Sequence, residues 1–318
     1  YSIGISALAA ILATMDMNVA VITAAQRTFV GMSKFSLTAI PFFILAGNLM
    51  NQGGIAKRLV DFVMAVLGKL PGALLVTNAA ANSLFGAISG SAAAACAAVG
   101  SMVRDGEEKL GYDPALCAAT NAASAPSGLL IPPSNALITY SLASGGTSVA
   151  ALFLGGYVPG IVWALCCIAV GIIFAVKKGY RGVPGNFDWK NLGICTVRAI
   201  PALSLIVVVI GGIVAGIFTA TEGSAIAVLY ALILGICYRN ITPEKFWRIV
   251  IESTRMSGLV VFLIGVSNVL GWVMSFQQIP QAVSAALLGV TQSPVLILLI
   301  ICLLYTSDAA DEARSVDL

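Results

Sequence analysis

The sequence predicts an all-α polytopic membrane protein, and three observations carry that prediction. Apolar side chains make up 59% of the 318 residues and charged ones only 10%; a soluble domain has roughly 25% charged residues to cover its surface. The mean hydropathy is +0.97. The apolar residues also gather into runs near the ~20 residues that a helix needs to cross a bilayer core, at 3–22, 35–50, 150–176, 199–218, 221–238, 257–276 and 293–301. The same composition excludes other classes. Seventeen basic against 14 acidic residues leave no nucleic-acid footprint, and without a histidine neither imidazole catalysis nor imidazole ligation is possible. Apolar content this high excludes disorder. The seven cysteines show no C-x-x-C or zinc spacing and read as small packing residues.

Taken in order, the run at 3–22 is expected to be a first span. It contains Asp16, which is either an intramembrane functional acid or a helix-end residue. No basic segment with a cleavage site precedes it, so no signal peptide is expected, and the opening on Tyr1 suggests a clipped start. A second span follows at 35–50. Residues 55–70 place Ile55, Leu59, Phe62, Val63 and Val66 at helical spacing beside Lys57, Arg58, Asp61 and Lys69, the pattern of a helix that lies along a membrane surface or braces other helices. Residues 243–255 repeat that character.

Residues 72–142 do not fit the span length. Two short Ala- and Gly-rich pieces meet at Gly86-Ala-Ile-Ser-Gly-Ser91, which predicts a hairpin over 72–103 that enters the membrane and returns. Beyond it, Ser124-Ala-Pro-Ser-Gly-Leu-Leu-Ile-Pro-Pro-Ser-Asn135 holds three prolines within eight residues. These remove backbone donors and disfavour the α region before them, so 113–142 is expected to be a broken helix. With this division, the loops at 51–71, 104–112, 177–198 and 239–255 fall on one side and carry 14 of the 16 basic residues before position 302. The uncharged loops at 143–149 and 277–292 fall on the other. The rule that basic loops stay inside then places 177–198 in the cytoplasm. The charge pattern alone also permits 72–103 as one full span; the Gly-Ser corner favours the hairpin.

Unwound chain at membrane depth survives only when buried in protein or lining a cavity. Helix ends at Ser89–Ser91 and Ser124–Asn135 would offer N–H groups to an anion and carbonyls to a cation. Asn78, Asn82, Ser89, Ser91, Asn121, Ser124, Ser127, Ser134 and Asn135 add hard, neutral oxygens suited to Na⁺. The plainer alternative is that these groups hydrogen-bond between helices while glycines allow close packing. Gly86/Gly90, Gly156/Gly160 and Gly212/Gly216 share the G-x-x-x-G spacing, which carries little information among 32 glycines. Thr219-Ala-Thr-Glu222 has capping-box spacing, so Glu222 reads as a cap ahead of a coupling carboxylate. Trp163, Trp247 and Trp272 are expected in interfacial belts.

The stretch Ala39-Ile-Pro-Phe-Phe-Ile-Leu-Ala-Gly-Asn-Leu-Met-Asn-Gln-Gly-Gly-Ile-Ala-Lys-Arg-Leu-Val60, followed by Gly86-Ala-Ile-Ser-Gly-Ser91, Gly111-Tyr-Asp-Pro114, Ile131-Pro-Pro-Ser134 and Phe218-Thr-Ala-Thr-Glu222, resembles the large membrane subunit of tripartite ATP-independent periplasmic (TRAP) transporters. The resemblance runs from about Tyr1 to Ile301. It implies an elevator-type fold with two inverted repeats, each holding a hairpin and a broken helix. It also implies a Na⁺-driven symporter of a bacterial or archaeal inner membrane, not an enzyme. The implied partners are a small membrane subunit and a periplasmic binding protein that delivers an organic acid. Carried over by position, Ser89, Gly90 and Ser91 match the hairpin tip, and Ser124, Pro126, Ser127, Pro132, Pro133, Ser134 and Asn135 match the broken helix. Asn82, Asn121 and Glu222 take supporting roles, and Na⁺ is expected at Ser89, Ser91 and Ser127, with no organic cofactor. The family pattern often has acidic residues or Val where Ala93–Ala95 stand, which leaves the substrate open.

This organisation divides the chain into scaffold helices and an amphipathic arm (1–71), a first transport half (72–149), connecting helices with a second arm (150–256) and the start of a second repeat (257–301). A second hairpin is expected to begin near Pro294. Residues 302–318 read as a non-native tail resembling translated adapter sequence, which makes residues 1–301 part of something longer, inactive by itself, with a balance of +6. A passive channel is the alternative, since re-entrant loops also build selectivity filters. An enzyme would lack a general base near the breaks.

Overall fold

The computed structural model describes residues 2–144, 147–182 and 189–303, and every regular element among them is helical. The chain forms two compact units, Tyr1–Met32 with Phe262–Leu318, and Ser33–Val261. The run at 3–22 is not one span. It is α1 (Ser2–Leu12) and the start of α2 (Met17–Met32). Thr14 donates its hydroxyl to the Ala10 and Ile11 carbonyls at 3.1 and 2.9 Å, which competes with helix continuation. Asp16 stands directly ahead of α2, its carbonyl accepting from Ala20, so it is a helix-end residue.

In the second unit, a 3₁₀ turn at Phe35–Thr38 leads into α3 (Ala39–Gln52). The amphipathic piece is α4 (Ile55–Leu67), which buries Ile55, Leu59 and Val63 and leaves Lys57 and Asp61 exposed. The predicted hairpin is α5 (Ala73–Ser89) and α6 (Ala92–Lys109). α6 takes in most of the loop expected at 104–112, because Arg104 and Glu108 pair at 2.8 Å one turn apart and Lys109 suits a C-terminus. The broken helix is α7 (Pro114–Ser124), α8 (Ser127–Leu130) and α9 (Asn135–Ala143).

Among the described residues, four helices are long and apolar enough to cross a bilayer: α10 (Val149–Lys178), α11 (Trp189–Val214), α12 (Ala220–Cys237) and α13 (Pro243–Phe276). Two corrections follow. The expected loop at 177–198 is helical from Trp189 onward, and α11 ends at Val214 instead of running to 218, where the Phe218 ring folds back onto Gly212. The surface piece at 243–255 and the span at 257–276 are one helix, since no proline separates them and Ser253 and Ser257 are buried in register.

In the first unit, Ala7, Ile11 and Ala20 pack with Val269 and Val273, and Arg27 lies 5.1 Å over the Trp272 ring. The stretch expected as a loop at 277–292 is α14 (Ile279–Val290), started by Pro280 after Gln278 in the left-handed region. α15 (Pro294–Leu303) turns away from it by 117°. α15 takes in Cys302 and Leu303 of the expected tail, the rest of which lies outside the described residues.

Contacts within the second unit group its loops. Tyr112 stacks on Tyr180 at 4.3 Å, Asp113 pairs with Lys178, and Gly182 lies against the Lys69 carbonyl. Asn240 donates to the Gly53 carbonyl at 3.0 Å, and Arg58 covers Tyr238 at 3.3 Å. Lys69, before the hairpin, and Tyr112, after it, therefore both meet the 178–182 segment. Over residues 72–103 the chain doubles back on itself, α5 packing against α6. At the opposite end Ser36, Ser141, Val149 and Thr219 line a cavity of about 260 Å³, with no charged side chain lining it among the described residues.

Candidate functional site

The hairpin turns on two residues. Gly90 is left-handed at φ 64°, which costs glycine nothing, and its N–H bonds the Gly86 carbonyl at 2.7 Å. Ser91 is extended and its hydroxyl accepts from Ala94 N–H at 3.3 Å, starting α6. Ser89 is buried, donating to the Ser91 carbonyl at 3.4 Å.

The break is narrower than the sequence suggests. Ala125 and Pro126 keep αR angles, so the chain stays helical from α7 into α8, and the unwound stretch is Ile131–Ser134. Pro126 has no N–H, and the ladder tightens to Gly128→Ala125 at 3.0 Å. The freed carbonyls find side chains. Trp163 Nε1 donates to Ala123 O at 2.9 Å, and Ser127 Oγ to Ser124 O at 2.6 Å. Pro132 and Pro133 are buried in the unwound stretch, and Ser134 caps α9 by accepting from Leu137 N–H at 3.3 Å.

Tip and break meet. Asn135 N–H reaches the Gly90 carbonyl at 3.4 Å, and a Cβ on Gly90 would stand 2.8 Å from the Pro133 carbonyl. The N-termini of α6 and α9 and the C-terminus of α5 thus converge, pairing positive helix ends with a negative one. The Asn135 Oδ1 atom is buried there without a partner. Close backbone approach makes this possible. A Cβ on Gly86 would fall 2.2 Å from the Gly128 Cα, and one on Gly47 of α3 would fall 2.9 Å from the Ser89 Cβ. Beside Pro133 the cavity shared with Phe43, Ala87 and Val209 measures about 10 Å³, no more than water-sized.

Deeper along α5 lies a second set. Asn82 Nδ2 faces Asn78 Oδ1, Asn121 Oδ1 and Ser124 Oγ at 2.7, 2.9 and 3.0 Å, while its own Oδ1 has no partner. Ser127 bonds Ser83 at 2.7 Å. Of the three serines expected at Na⁺, Ser89 and Ser91 therefore share the tip, while Ser127 sits a helix turn and a half back along α5. Glu222 is exposed and closes the capping box, its Oε2 accepting from Thr219 N–H at 2.7 Å, so its carboxylate is committed to the start of α12.

Sequence reasoning missed Trp163, Ser83 and Gly47. Trp163 is no interfacial residue: it lies midway along α10 and holds the break. Its position at the centre of an apolar run was the signal, because an indole N–H with only apolar neighbours in sequence needs an acceptor from elsewhere. Trp272 packs under Arg27 in the other unit, and Trp247 is exposed near the start of α13. The G-x-x-x-G pairs also carry more than expected: Gly156 and Gly160 on α10 lie against Leu130 O and Ile131 at the break.

Residues 1–306 match the family model described as the DctM component of the tripartite ATP-independent periplasmic transporter. The uncharacterized protein YgiK of Salmonella typhimurium is 47% identical over 96% of this chain and 70% of its own length. The isethionate TRAP transporter permease protein DctMQ of Oleidesulfovibrio alaskensis is 35% identical over 94% of this chain and 47% of its own length. The sialic acid TRAP transporter large permease protein SiaM of Vibrio cholerae is 35% identical over 88% and 66%. The chain thus spans between about half and 70% of these relatives. With its hairpin tip seated on a proline-broken helix, this multi-pass membrane chain belongs to the DctM family of TRAP transporter large permeases.

Proposed function

We propose that the chain supplies half of the substrate and Na⁺ site of a symporter that imports an organic acid. The observation that carries this reading is the meeting of Gly90 and Asn135, where helix N-termini face a buried, unpartnered amide oxygen. N-termini suit a carboxylate or sulfonate, and relatives are named for isethionate and sialic acid. Ser89, Ser91, the Gly90 carbonyl and Asn135 Oδ1 offer the hard oxygens that would hold Na⁺; the ion's chemistry is to couple its gradient to substrate movement. The partners are a small membrane subunit and a periplasmic binding protein. The basic loops face the cytoplasm of a bacterial or archaeal inner membrane, and the hairpin and break move together against a scaffold, as in an elevator, with a second, inverted repeat completing the site. Uptake by the whole permease, reconstituted with both partners, tests this. Substrate entry should require the binding protein and stop when K⁺ replaces Na⁺. Uptake indifferent to that exchange would refute coupling, and flux without a binding protein would favour a channel.

A further inference from the structure

At the opposite end of the hairpin from its tip, α5, α6 and α7 line an open cavity of about 670 Å³, with Asn78, Arg104, Glu107, Glu108, Tyr112 and Asn121 among its walls. Glu107 is 6% exposed, and its Oε1 has no hydrogen-bond partner. Among the described residues the ion pairs are Arg104–Glu108, whose charges offset each other at the same cavity, and Lys178–Asp113; neither includes Glu107. Its carboxyl lies within reach of the Asn78 amide and the Cys117 thiol. Such a group is costly to bury unless something compensates its charge.

Asn78 is also the first member of the polar set that leads inward. Asn82 joins it to Asn121 and Ser124, and Ser127 bonds the Ser124 carbonyl. A chain of oxygens therefore runs from the cavity to the break, with free acceptors at Glu107 Oε1 and Asn82 Oδ1. One carboxylate balances one positive charge. No group of three or more His, Cys, Asp or Glu stands together among the described residues, which argues against a divalent ion. From Asn78 to Ser89 is eleven residues of helix, ~16 Å, so this place is distinct from the tip.

We infer that Glu107 and Asn78 form a second Na⁺ site at the hairpin base, separate from the tip. This extends the Na⁺-coupled reading but is tested by binding, not transport. Equilibrium ²²Na⁺ binding to the protein in nanodiscs is measured for wild type, Glu107→Gln, Asn78→Ser and the tip variant Ser91→Ala, each first checked for an unchanged elution profile. Glu107→Gln is expected to lose one saturable site or weaken it at least tenfold, with Asn78→Ser weakening the same site and Ser91→Ala leaving it intact. Should Glu107→Gln misfold, Asn78→Ser alone decides. Wild-type ²²Na⁺ binding in both base variants overturns the inference even if uptake remains Na⁺-driven. Loss of a site in a protein whose uptake ignores Na⁺ would keep the base site and overturn the coupling reading instead. ²²Na⁺ retention that excess unlabelled Na⁺ fails to displace would be non-specific and would also overturn the inference.

Discussion

Fifteen of the 17 residues of α5 are buried, against 22% of the most apolar stretch of α10, although α10 carries the more apolar sequence. Leu154, Val158, Ile161, Val162 and Leu165 of α10 face outward, where lipid is as good a solvent for them as protein. α5 instead buries Thr77, Asn78, Asn82, Ser83 and Ser89. Within a bilayer, hydrophobicity does not decide what is inside; close backbone approach and paired polar groups do. The helices that hydropathy finds first are therefore the envelope. The segment that fails the hydropathy test holds the candidate site.

The sharpest way to break this contrast is a side chain added to each region. Gly86→Val would drive a Cβ into the Gly128 backbone, with an expected loss of about 3 kcal/mol or more, read as a fall in the thermal midpoint or loss of a monodisperse peak. Gly155→Val on α10, where a Cβ meets nothing within 4 Å, should change stability by less than ~1 kcal/mol. Equal damage from both would dissolve the distinction. Next in size is Asn82→Leu, which strips the shared donor from Asn78, Asn121 and Ser124; about 2–3 kcal/mol is expected from the acceptors left behind, measured by denaturant titration in detergent. Trp163→Phe keeps the ring and removes the donor to Ala123 O, for about 1–2 kcal/mol. It would show that one residue of the envelope serves the core. Thr219→Ala removes the cap of α12, about 1 kcal/mol.

The smallest effect lies at the charged end, outside both regions. Lys178 beside Asp113 holds the Asp113 carboxyl below the usual carboxylate range, helped by the Ala115 N–H. A lowered folded pKa adds stability above the unfolded value of ~3.9 and loses it as the pH falls through the folded one. The gap between wild type and Asp113→Asn should therefore be present at neutral pH and close in acid; a gap that widened on acidification would reverse the assignment.

Much of this organisation was legible because local chemistry decided it. The Gly-Ser corner needs a left-handed residue, and Gly90 is one. The Pro-Pro pair forbids helix, and the chain unwinds at Ile131–Ser134. The capping box of Thr219 and Glu222 forms as its spacing implies. The misreadings came from tertiary choice. Hydropathy does not say that 243–276 continues as one helix, that 279–290 is helical, or that Thr14 divides the first run. Nor does a proline-rich run show which carbonyls are rescued: the chain stays helical through Pro126, with Trp163 and Ser127 bonding the Ala123 and Ser124 carbonyls beside it. Asn78, Asn82, Asn121 and Ser124 group together by residue type, but which of them bond one another across α5 and α7 follows from the close approach of Gly86 and Gly128, which no spacing rule encodes.

The measurement that bears most directly on the meeting of tip and break is the Na⁺ dependence of uptake in the reconstituted permease, compared for wild type, Ser91→Ala and Asn135→Ala. Losing a group that holds the ion should raise half-saturating Na⁺ about tenfold or more, corresponding to ~1.4 kcal/mol, in both variants and not in Val158→Ala on the envelope. Unchanged Na⁺ dependence in Ser91→Ala and Asn135→Ala would place the ion elsewhere and contradict the assignment.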